Sequence, residues 1–333
     1  MSQARLDQEH SMLNRLVVGL VNDGNQVVRI VPVTPHDELA HYEKAISLAK
    51  RISTPMPVFR LLRKTRSEEI INQLDKIEID AIVAFGIEAE QVALDIAPLV
   101  DAPILKEVIS MREAKRVRKS SKIWRWLAAT PSIERAISQR VGEDRAALVP
   151  LAAATSHITE SIQSKTNRCI SILDAASNVK ATTLILEALK SFPNIHIFIE
   201  LTGRRQHKIW KKVRQLGMLD RVTCLRDMAS LRSLIVQSDL VLLPSQSMPV
   251  RTILLEVMLA SIPIVATTIE GFDMLIDEET AIITNGQWND AIHRVLNDVH
   301  LATRIGESGS RLIAEKYASS TQIAAFEASF TLI

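Results

Sequence analysis

Residues 239–284 read DLVLLPSQSMPVRTILLEVMLASIPIVATTIEGFDMLIDEETAIIT, and the fold can be argued outward from them. Two short runs rich in Leu, Val and Ile, at 240–244 and 263–267, flank a longer apolar strip that begins near Val250. Short apolar runs that alternate with helical segments are typical of parallel sheets, whose strands are apolar on both faces because helices cover them. This stretch therefore predicts an α/β fold.

The same alternation extends over the rest of the chain. We expect strands in the first half at 27–33, 57–62, 81–85, 103–105, 126–129 and 147–150, and in the second half at 169–173, 195–201, 221–225, 240–244, 263–267 and 280–283. A length of 333 residues favours two domains of this type. Residues 150–168 are small and polar and form the best candidate linker, so we expect one domain over 1–150 and a second over 151–318.

The composition excludes several classes of protein. Hydrophobic residues make up 47% of the chain and charged residues 23%, which is typical of globular proteins. The formal net charge of +2 gives no overall attraction to nucleic acid or membrane. Neither the two cysteines nor the eight histidines show the spacing of a metal site, so we expect no metal and no cofactor. No run of 18 apolar residues and no signal peptide is present, which favours a cytoplasmic protein.

Residues 239–284 resemble the nucleotide-sugar domain of retaining GT-B glycosyltransferases, family 4 (glycosyl transferases group 1). The shared pattern is a strand, Pro-Ser, an apolar helix with a glutamate, a small-x-Pro-Val turn and strand, and a following loop. LGMLDRVTCL at 216–225, QWNDAIHRVLND at 287–298 and RLIAEKYASSTQIAAFEASF at 311–330 extend the resemblance. The resemblance implies two Rossmann-like domains facing a cleft, with a C-terminal helix at 319–333 that returns to the first domain.

The first half resembles the acceptor domain of the same family more faintly, chiefly at LVVGLVNDGNQVVRIV, residues 16–31. The family's first strand and glycine loop precede this helix, and the loop aligns with DQEH at 7–10. Nine residues before His10 are too few for that strand and loop. We expect either that the strand is absent or that the chain start differs from the ancestral one.

The resemblance implies transfer of a sugar from a nucleotide-sugar donor, without a metal. Departure of a nucleoside diphosphate then needs positive charge from the protein. Lys180 aligns with the family's lysine, whereas the family's arginine is Ala175 here and the preceding glycine is Asp174. Arg251 is the candidate replacement for the missing arginine, because a guanidinium grips phosphate with two hydrogen bonds. Solvated surface positions remain open for both Lys180 and Arg251.

Four further residues are implied to contact the donor. Glu256 matches the glutamate that binds the ribose, and a carboxylate on the apolar strip TILLEVMLA needs such a reason. Thr252, Gly203 and Ser245 occupy positions that the family places near the nucleotide. An exposed helix face is the alternative for Glu256, and a plain turn is the alternative for Gly203.

Two functions remain in competition. The first is a working glycosyltransferase, which Glu256 and Lys180 favour. The second is a catalytically inactive homologue that serves as a nucleotide-, sugar- or protein-binding scaffold. It is favoured by Ala175, by the DQEH segment and by Met248, which replaces the glutamate that faces the transferred sugar in the family.

Two stretches concentrate basic residues around tryptophans, at 111–126 (MREAKRVRKSSKIWRW) and 204–214 (RRQHKIWKKVR). Basic helices with tryptophan suit an anionic membrane surface, so peripheral association with the inner face of the membrane is one interpretation. Solvated helix faces with half-buried indoles are the other. Nucleic acid is not favoured, because no stacking module accompanies the charge.

Overall fold

The computed structural model describes residues 1–33, 49–56, 59–75, 77–119, 122–153 and 168–330. The chain divides into two compact units, of which the first comprises Met1–Ala152 and Ser319–Ile333 and the second Ala153–Ala318. Most of the expected linker, residues 154–167, lies outside the described residues. Each unit contains parallel sheet and helices, so the α/β prediction is confirmed.

The second unit is built on a six-stranded parallel sheet in the order β12-β11-β10-β7-β8-β9. Its strands are β7 (Arg168–Ile172), β8 (Ile195–Glu200), β9 (Val222–Leu225), β10 (Leu240–Leu243), β11 (Ile264–Ala266) and β12 (Ile282–Ile283). The central strand β10 is buried along its whole length, as expected for a strand with helices on both faces. Each of these strands lies within one residue of its predicted position or overlaps it.

Helices connect or follow these strands, and three of them begin at a capping side chain. They are α6 (Val179–Leu189), α7 (Gln206–Gln215), α8 (Met228–Ile235), α9 (Thr252–Leu259), α10 (Trp288–Asn297) and α11 (Val299–Lys316). Asn178 caps α6 by accepting a hydrogen bond from the N–H of Ala181, and Asp227 caps α8 through the N–H of Ser230. The apolar faces of α6, α7, α10 and α11 enter one core with the sheet, which fixes these helices relative to the strands.

The first unit holds two parallel sheets among its described residues. One pairs β1 (Val28–Pro32) with β2 (Lys50–Thr54), and the other has the order β3-β4-β5-β6. The latter comprises β3 (Ile82–Ala84), β4 (Ile104–Val108), β5 (Arg125–Ala128) and β6 (Ala146–Leu148). The Met1 amino group donates to the Ile30 carbonyl, and the Ser2 N–H donates to the Phe85 carbonyl, both at 2.8 Å. The first two residues thus contact both sheets.

The described helices of this unit are α1 (Gln3–Asn22), α2 (Arg63–Leu74), α3 (Ile87–Val100), α4 (Met111–Ala114), α5 (Pro131–Val141) and α12 (Ser319–Ala328). Residues 7–10, which align with the family's glycine loop, lie within α1, where the backbone kinks at Glu9. The terminal helix α12 packs against α1, and Asn25 donates to Glu327 at 2.9 Å. The C-terminal residues are therefore grouped with the first unit.

Two predictions for the first unit are wrong. The strand expected at 57–62 does not form over 59–62, because β2 ends at Thr54 and residues 60–62 form an exposed 3-10 turn, while residues 57–58 lie outside the described residues. The stretch 111–126 is not a basic helix, because α4 ends at Ala114 and β5 begins at Arg125. Trp126 is buried in that strand, and the guanidinium of Arg125 is buried too, stacked over Trp124 at 4.2 Å.

In the second unit, α11 packs closely against α9 and the turn that follows it. A Cβ atom at Gly306 of α11 would lie 2.1 Å from the backbone carbonyl oxygen of Ser261. Only glycine allows this approach, since the neighbouring atom is backbone and cannot rotate away. A Cβ at Gly309, one turn later, would make an ordinary 3.4 Å contact with the Met258 methyl group.

We predict that Gly306→Ala lowers the free energy of unfolding by about 1–3 kcal/mol, because the helix must move away from Ser261. Gly309→Ala is the matched control in the same helix, and its stability should change by less than about 1 kcal/mol. Urea unfolding of both variants measures the difference. Equal stability of the two variants would show that the contact at Ser261 is not tight.

Candidate functional site

The candidate site lies at the carboxyl edge of the second sheet. The chain leaves β7 toward β8 and β9 on one side and later adds β10, β11 and β12 on the other, so the strand order reverses between β7 and β10. Ligands of such sheets bind in the crevice outside the strand ends at this point. All six candidate residues follow strands at this edge or lie early in the next helix: Lys180, Gly203, Ser245, Arg251, Thr252 and Glu256.

Helix α9 begins two residues later than expected. Its first residue is Thr252, and Arg251 is the N-cap with an extended backbone. The helix N-terminus still follows β10 at the switch point, where its dipole favours an anion. Pro249 therefore precedes the helix rather than forming its first turn.

Arg251 forms a buried ion pair with Glu200, the last residue of β8. Its Nη1 atom lies 2.8 Å from Oε1 and 2.9 Å from Oε2 of Glu200, and both side chains are almost fully buried. The Nη2 atom donates to the sulfur of Met228 at 3.4 Å, and Nε has no hydrogen-bond partner among the described residues. The charge of Arg251 is thus already balanced inside the protein.

Asp174 lies beside this pair, directly after β7. Its backbone has φ of 50°, the left-handed region that Asp tolerates and glycine favours, which fits its alignment with a family glycine. Its N–H donates to Glu200 at 2.8 Å, and its carboxylate accepts hydrogen bonds from Ser177 and Ser245. Burial raises the pKa of Asp174, although these two serine hydroxyls oppose the rise.

Lys180 lies in the first turn of α6 and is exposed. The loop before this helix is held against the end of β10, because the Asn178 side-chain amide donates to the Pro244 carbonyl at 2.9 Å. The N-termini of α6 and α9 are therefore attached to the two strands on either side of the switch point. Lys180 is a cation at this edge that faces solvent.

Glu256 and Thr252 share one partner, Arg232 of α8. The guanidinium of Arg232 forms an ion pair with Glu256 and donates to the Thr252 hydroxyl at 2.7 Å. The Glu256 side chain is largely buried, in contrast to the exposed helix face considered as its alternative. A carboxylate in the second turn of α9 is thus fixed relative to the helix N-terminus.

The remaining candidate positions differ in accessibility. Gly203 is exposed in a turn after β8 with φ of +92°, and a Cβ there would meet open space. Met248 and Ala175 are buried, so neither presents a polar group to a ligand. Ser245 is also buried, where it donates to the Ser247 carbonyl as well as meeting Asp174.

Sequence reasoning missed Glu200, Arg232 and Asn178. The sequence did contain a signal for Glu200, since a glutamate at the end of the apolar strand IHIFIE is unusual without a partner. Arg232 gave no such signal, because an arginine in a short amphipathic helix is ordinary.

Comparison with known proteins shows which family the region around this site resembles. Residues 164–298 match the model of the family described as Glycosyl transferases group 1. A stretch of 125 residues is 32% identical to the Alpha-D-kanosaminyltransferase of Streptomyces kanamyceticus, covering 35% of this chain. The match spans about a third (32%) of the length of that relative. Most of the second unit thus matches the Glycosyl transferases group 1 model, and the resemblance predicted from the sequence is confirmed.

Solved structures extend the likeness to the whole chain. A glycosyltransferase from Rickettsia africae ESF-5 aligns with a TM-score of 0.77 at 10% identity, covering 100% of this chain and 96% of its own. HepE of Anabaena in complex with UDP and glucose aligns with a TM-score of 0.71 at 14% identity, over 97% and 95% of the two chains. Sucrose-phosphate synthase from Thermosynechococcus elongatus gives 0.73 at 15% identity, over 97% and 93%. The GT-B fold is confirmed.

The described residues show neither a membrane-spanning helix nor a metal cluster. None of the helices found there combines the length and the apolar character that a membrane crossing requires. Within the same residues, no group of three or more His, Cys, Asp or Glu side chains has the arrangement of a metal site.

We predict that Glu200→Ala lowers the free energy of unfolding by about 3–5 kcal/mol, because Arg251 is left buried without its partner. The matched control is Glu278→Ala, whose ion pair with Arg294 is half-exposed on both sides. That control should cost no more than about 1 kcal/mol. Chemical unfolding measures both, and a small loss for Glu200→Ala would contradict the buried pair.

Proposed function

We propose that this chain is a glycosyltransferase that binds a nucleotide-sugar donor at the carboxyl edge of the second sheet. The reaction proposed is transfer of the sugar with retention of the anomeric configuration and without a metal ion, as the family resemblance implies. The observation that carries the proposal is the convergence of the α6 and α9 N-termini at the switch point, within the region matched by the family.

The diphosphate is assigned to these two helix N-termini and to Lys180. Backbone N–H groups and the positive end of a helix dipole favour a phosphate, and a solvent-facing lysine adds a full charge. Asp174 would oppose an anion in this place if it were ionised. Burial raises the pKa of Asp174, so its carboxylate is less stabilised there than in water.

Glu256 is assigned to the ribose hydroxyls. A carboxylate accepts two hydrogen bonds from a cis-diol, and the ion pair with Arg232 holds it in the second turn of α9. Thr252, Gly203 and Ser245 complete the assigned donor contacts. HepE of Anabaena has been solved with UDP-glucose as well as with UDP, so uracil nucleotides are the first donors to test.

Arg251 can supply charge to the diphosphate only if its ion pair with Glu200 is shared or broken. Its guanidinium is bound to Glu200, so a phosphate oxygen would have to share it with that carboxylate or replace it. The compensation of the missing family arginine by Arg251 therefore remains a prediction. Lys180 requires no such exchange.

A catalytically inactive homologue is the second candidate function. Two observations favour it: Met248 and Ala175 are buried and apolar where the family has charged side chains, and Glu200 already neutralises Arg251. Such a protein would retain donor binding through Glu256 and Lys180 but would stabilise the departing diphosphate poorly.

Calorimetry against UDP-, GDP- and ADP-sugars tests donor binding, and release of the nucleoside diphosphate in the presence of EDTA tests turnover without metal. Binding with turnover supports the transferase, and NMR of the product then gives the anomeric configuration. Binding without turnover selects the inactive homologue. Failure of every donor to bind contradicts both donor-binding functions.

We predict that Glu256→Gln weakens donor binding by about 1.5–3 kcal/mol, the range for a hydrogen bond to a charged group. Glu187→Gln is the matched control, because it removes another ion-paired carboxylate of the same unit. Glu187 lies on α6 and pairs with Lys212 of α7. Calorimetry should show unchanged affinity for the control. Equal affinity of Glu256→Gln and the unsubstituted protein would limit Glu256 to a structural role.

A further inference from the structure

The turn that joins β2 to α2 exposes three large apolar side chains. Phe59, Leu61 and Leu62 are 83%, 93% and 54% exposed, and they lie in or directly before the 3-10 helix Arg60–Leu62. The turn is closed by a hydrogen bond from the Leu62 N–H to the Phe59 carbonyl at 2.9 Å. These three exposed side chains therefore belong to one short turn, in which Phe59 and Leu62, three residues apart, share a side.

This concentration is unusual for the molecule. Within the ranges that the structure describes, no other four consecutive residues include three exposed large apolar side chains. Single exposed apolar residues are normal on protein surfaces, whereas contiguous ones mark interaction sites. Val33, which follows β1 and donates its N–H to the Thr54 carbonyl at 3.1 Å, is a further exposed apolar residue at this end of the two-stranded sheet.

Basic residues surround the apolar side chains. Arg60 and Lys64 are exposed and Arg63 is partly exposed, while the stretch from 56 to 67 contains no acidic residue. The first acidic side chain is Glu68, which approaches Lys64 only to 3.9 Å with both groups open to water. Such an exposed pair leaves most of the positive potential in place.

We propose that this apolar and basic turn, residues 59–64, docks the first unit on an anionic lipid surface. Phe59, Leu61 and Leu62 enter the boundary between headgroups and acyl chains, and Arg60 and Lys64 contact the anionic headgroups. Apolar side chains interleaved with basic ones bind membranes by burial of apolar surface and by attraction to anionic headgroups. The second contribution depends on lipid composition. A single turn gives reversible association.

The two stretches that the sequence suggested for this role are less suitable. In 111–126, Trp126 and Arg125 are buried. In 204–214, Ile209 and Val213 of α7 face the core and Lys212 is paired with Glu187, which leaves Trp210 as the exposed apolar residue of that helix. The alternative occupant of residues 59–64 is a second copy of this chain, which self-association through the turn would reveal.

The test is co-sedimentation of the full chain with two kinds of vesicle. One is pure phosphatidylcholine, and the other is phosphatidylcholine with about one third phosphatidylglycerol. We expect binding to the anionic vesicles that weakens with added salt. Phe59→Ser with Leu61→Ser should lower the partition coefficient by about tenfold or more, and Arg60→Gln with Lys64→Gln by about fivefold per charge removed. Leu99→Ser, an exposed apolar residue near the end of α3, and Arg135→Gln are the matched controls and should bind as the unsubstituted protein does.

Thermal unfolding of each variant checks that the fold is intact, which the high exposure of the substituted side chains favours. Anionic vesicle binding that survives both double substitutions overturns the proposal. Loss of binding in Trp210→Ser alone would assign the contact to α7 instead. Failure to bind either type of vesicle also overturns the proposal. If light scattering then shows self-association that is lost in Phe59→Ser with Leu61→Ser, the turn is a contact between copies of the chain.

Discussion

The ion pair between Arg251 and Glu200 is the constraint on which the candidate site depends. It joins the last residue of β8 to the residue that caps α9, and both side chains are removed from water. Burying two charges is costly unless they meet at short distance with further hydrogen bonds, and here Glu200 also accepts the N–H of Asp174. The pair therefore fixes three segments of the switch point relative to one another.

The same interaction decides how positive charge is distributed for a ligand. A nucleoside diphosphate needs cations or oriented N–H groups at the point of departure, and Arg251 is engaged elsewhere. Lys180 and the N-termini of α6 and α9 remain, together with an Asp174 whose pKa is raised by burial. This distribution of positive charge is consistent with donor binding. It also explains why transfer of the sugar is more demanding than binding of the donor.

The sequence predicted the strands of the second unit, because they are uninterrupted apolar runs. The family resemblance also assigned Lys180, Ser245 and Arg251 to one site, and all three follow strands at one edge of the sheet. It could not predict their partners. Glu200 lies 51 residues from Arg251, and Arg232 lies 24 residues from Glu256, so these pairs exist only once the sheet and helices are packed.

The wrong predictions have related causes. Residues 57–62 are as apolar as a strand, yet Phe59 and Leu61 face solvent, and composition alone does not distinguish the two. Arg125 carries a long aliphatic stem and a fork of donors, so it occupies a buried strand position by bonding to the Ser329 and Asp144 carbonyls. A count of basic residues at 111–126 therefore suggested a charged helix where the chain forms a loop and a strand.

Hydrogen–deuterium exchange of the full chain with and without saturating UDP is the most direct measurement of the central claim, that the switch point between β7 and β10 binds a nucleoside diphosphate. We expect UDP to slow the exchange of backbone amides in residues 174–182 and 250–256, where the two helix N-termini lie, and to change the exchange of α11 little. Unchanged exchange in both segments, with UDP bound by calorimetry, would contradict it.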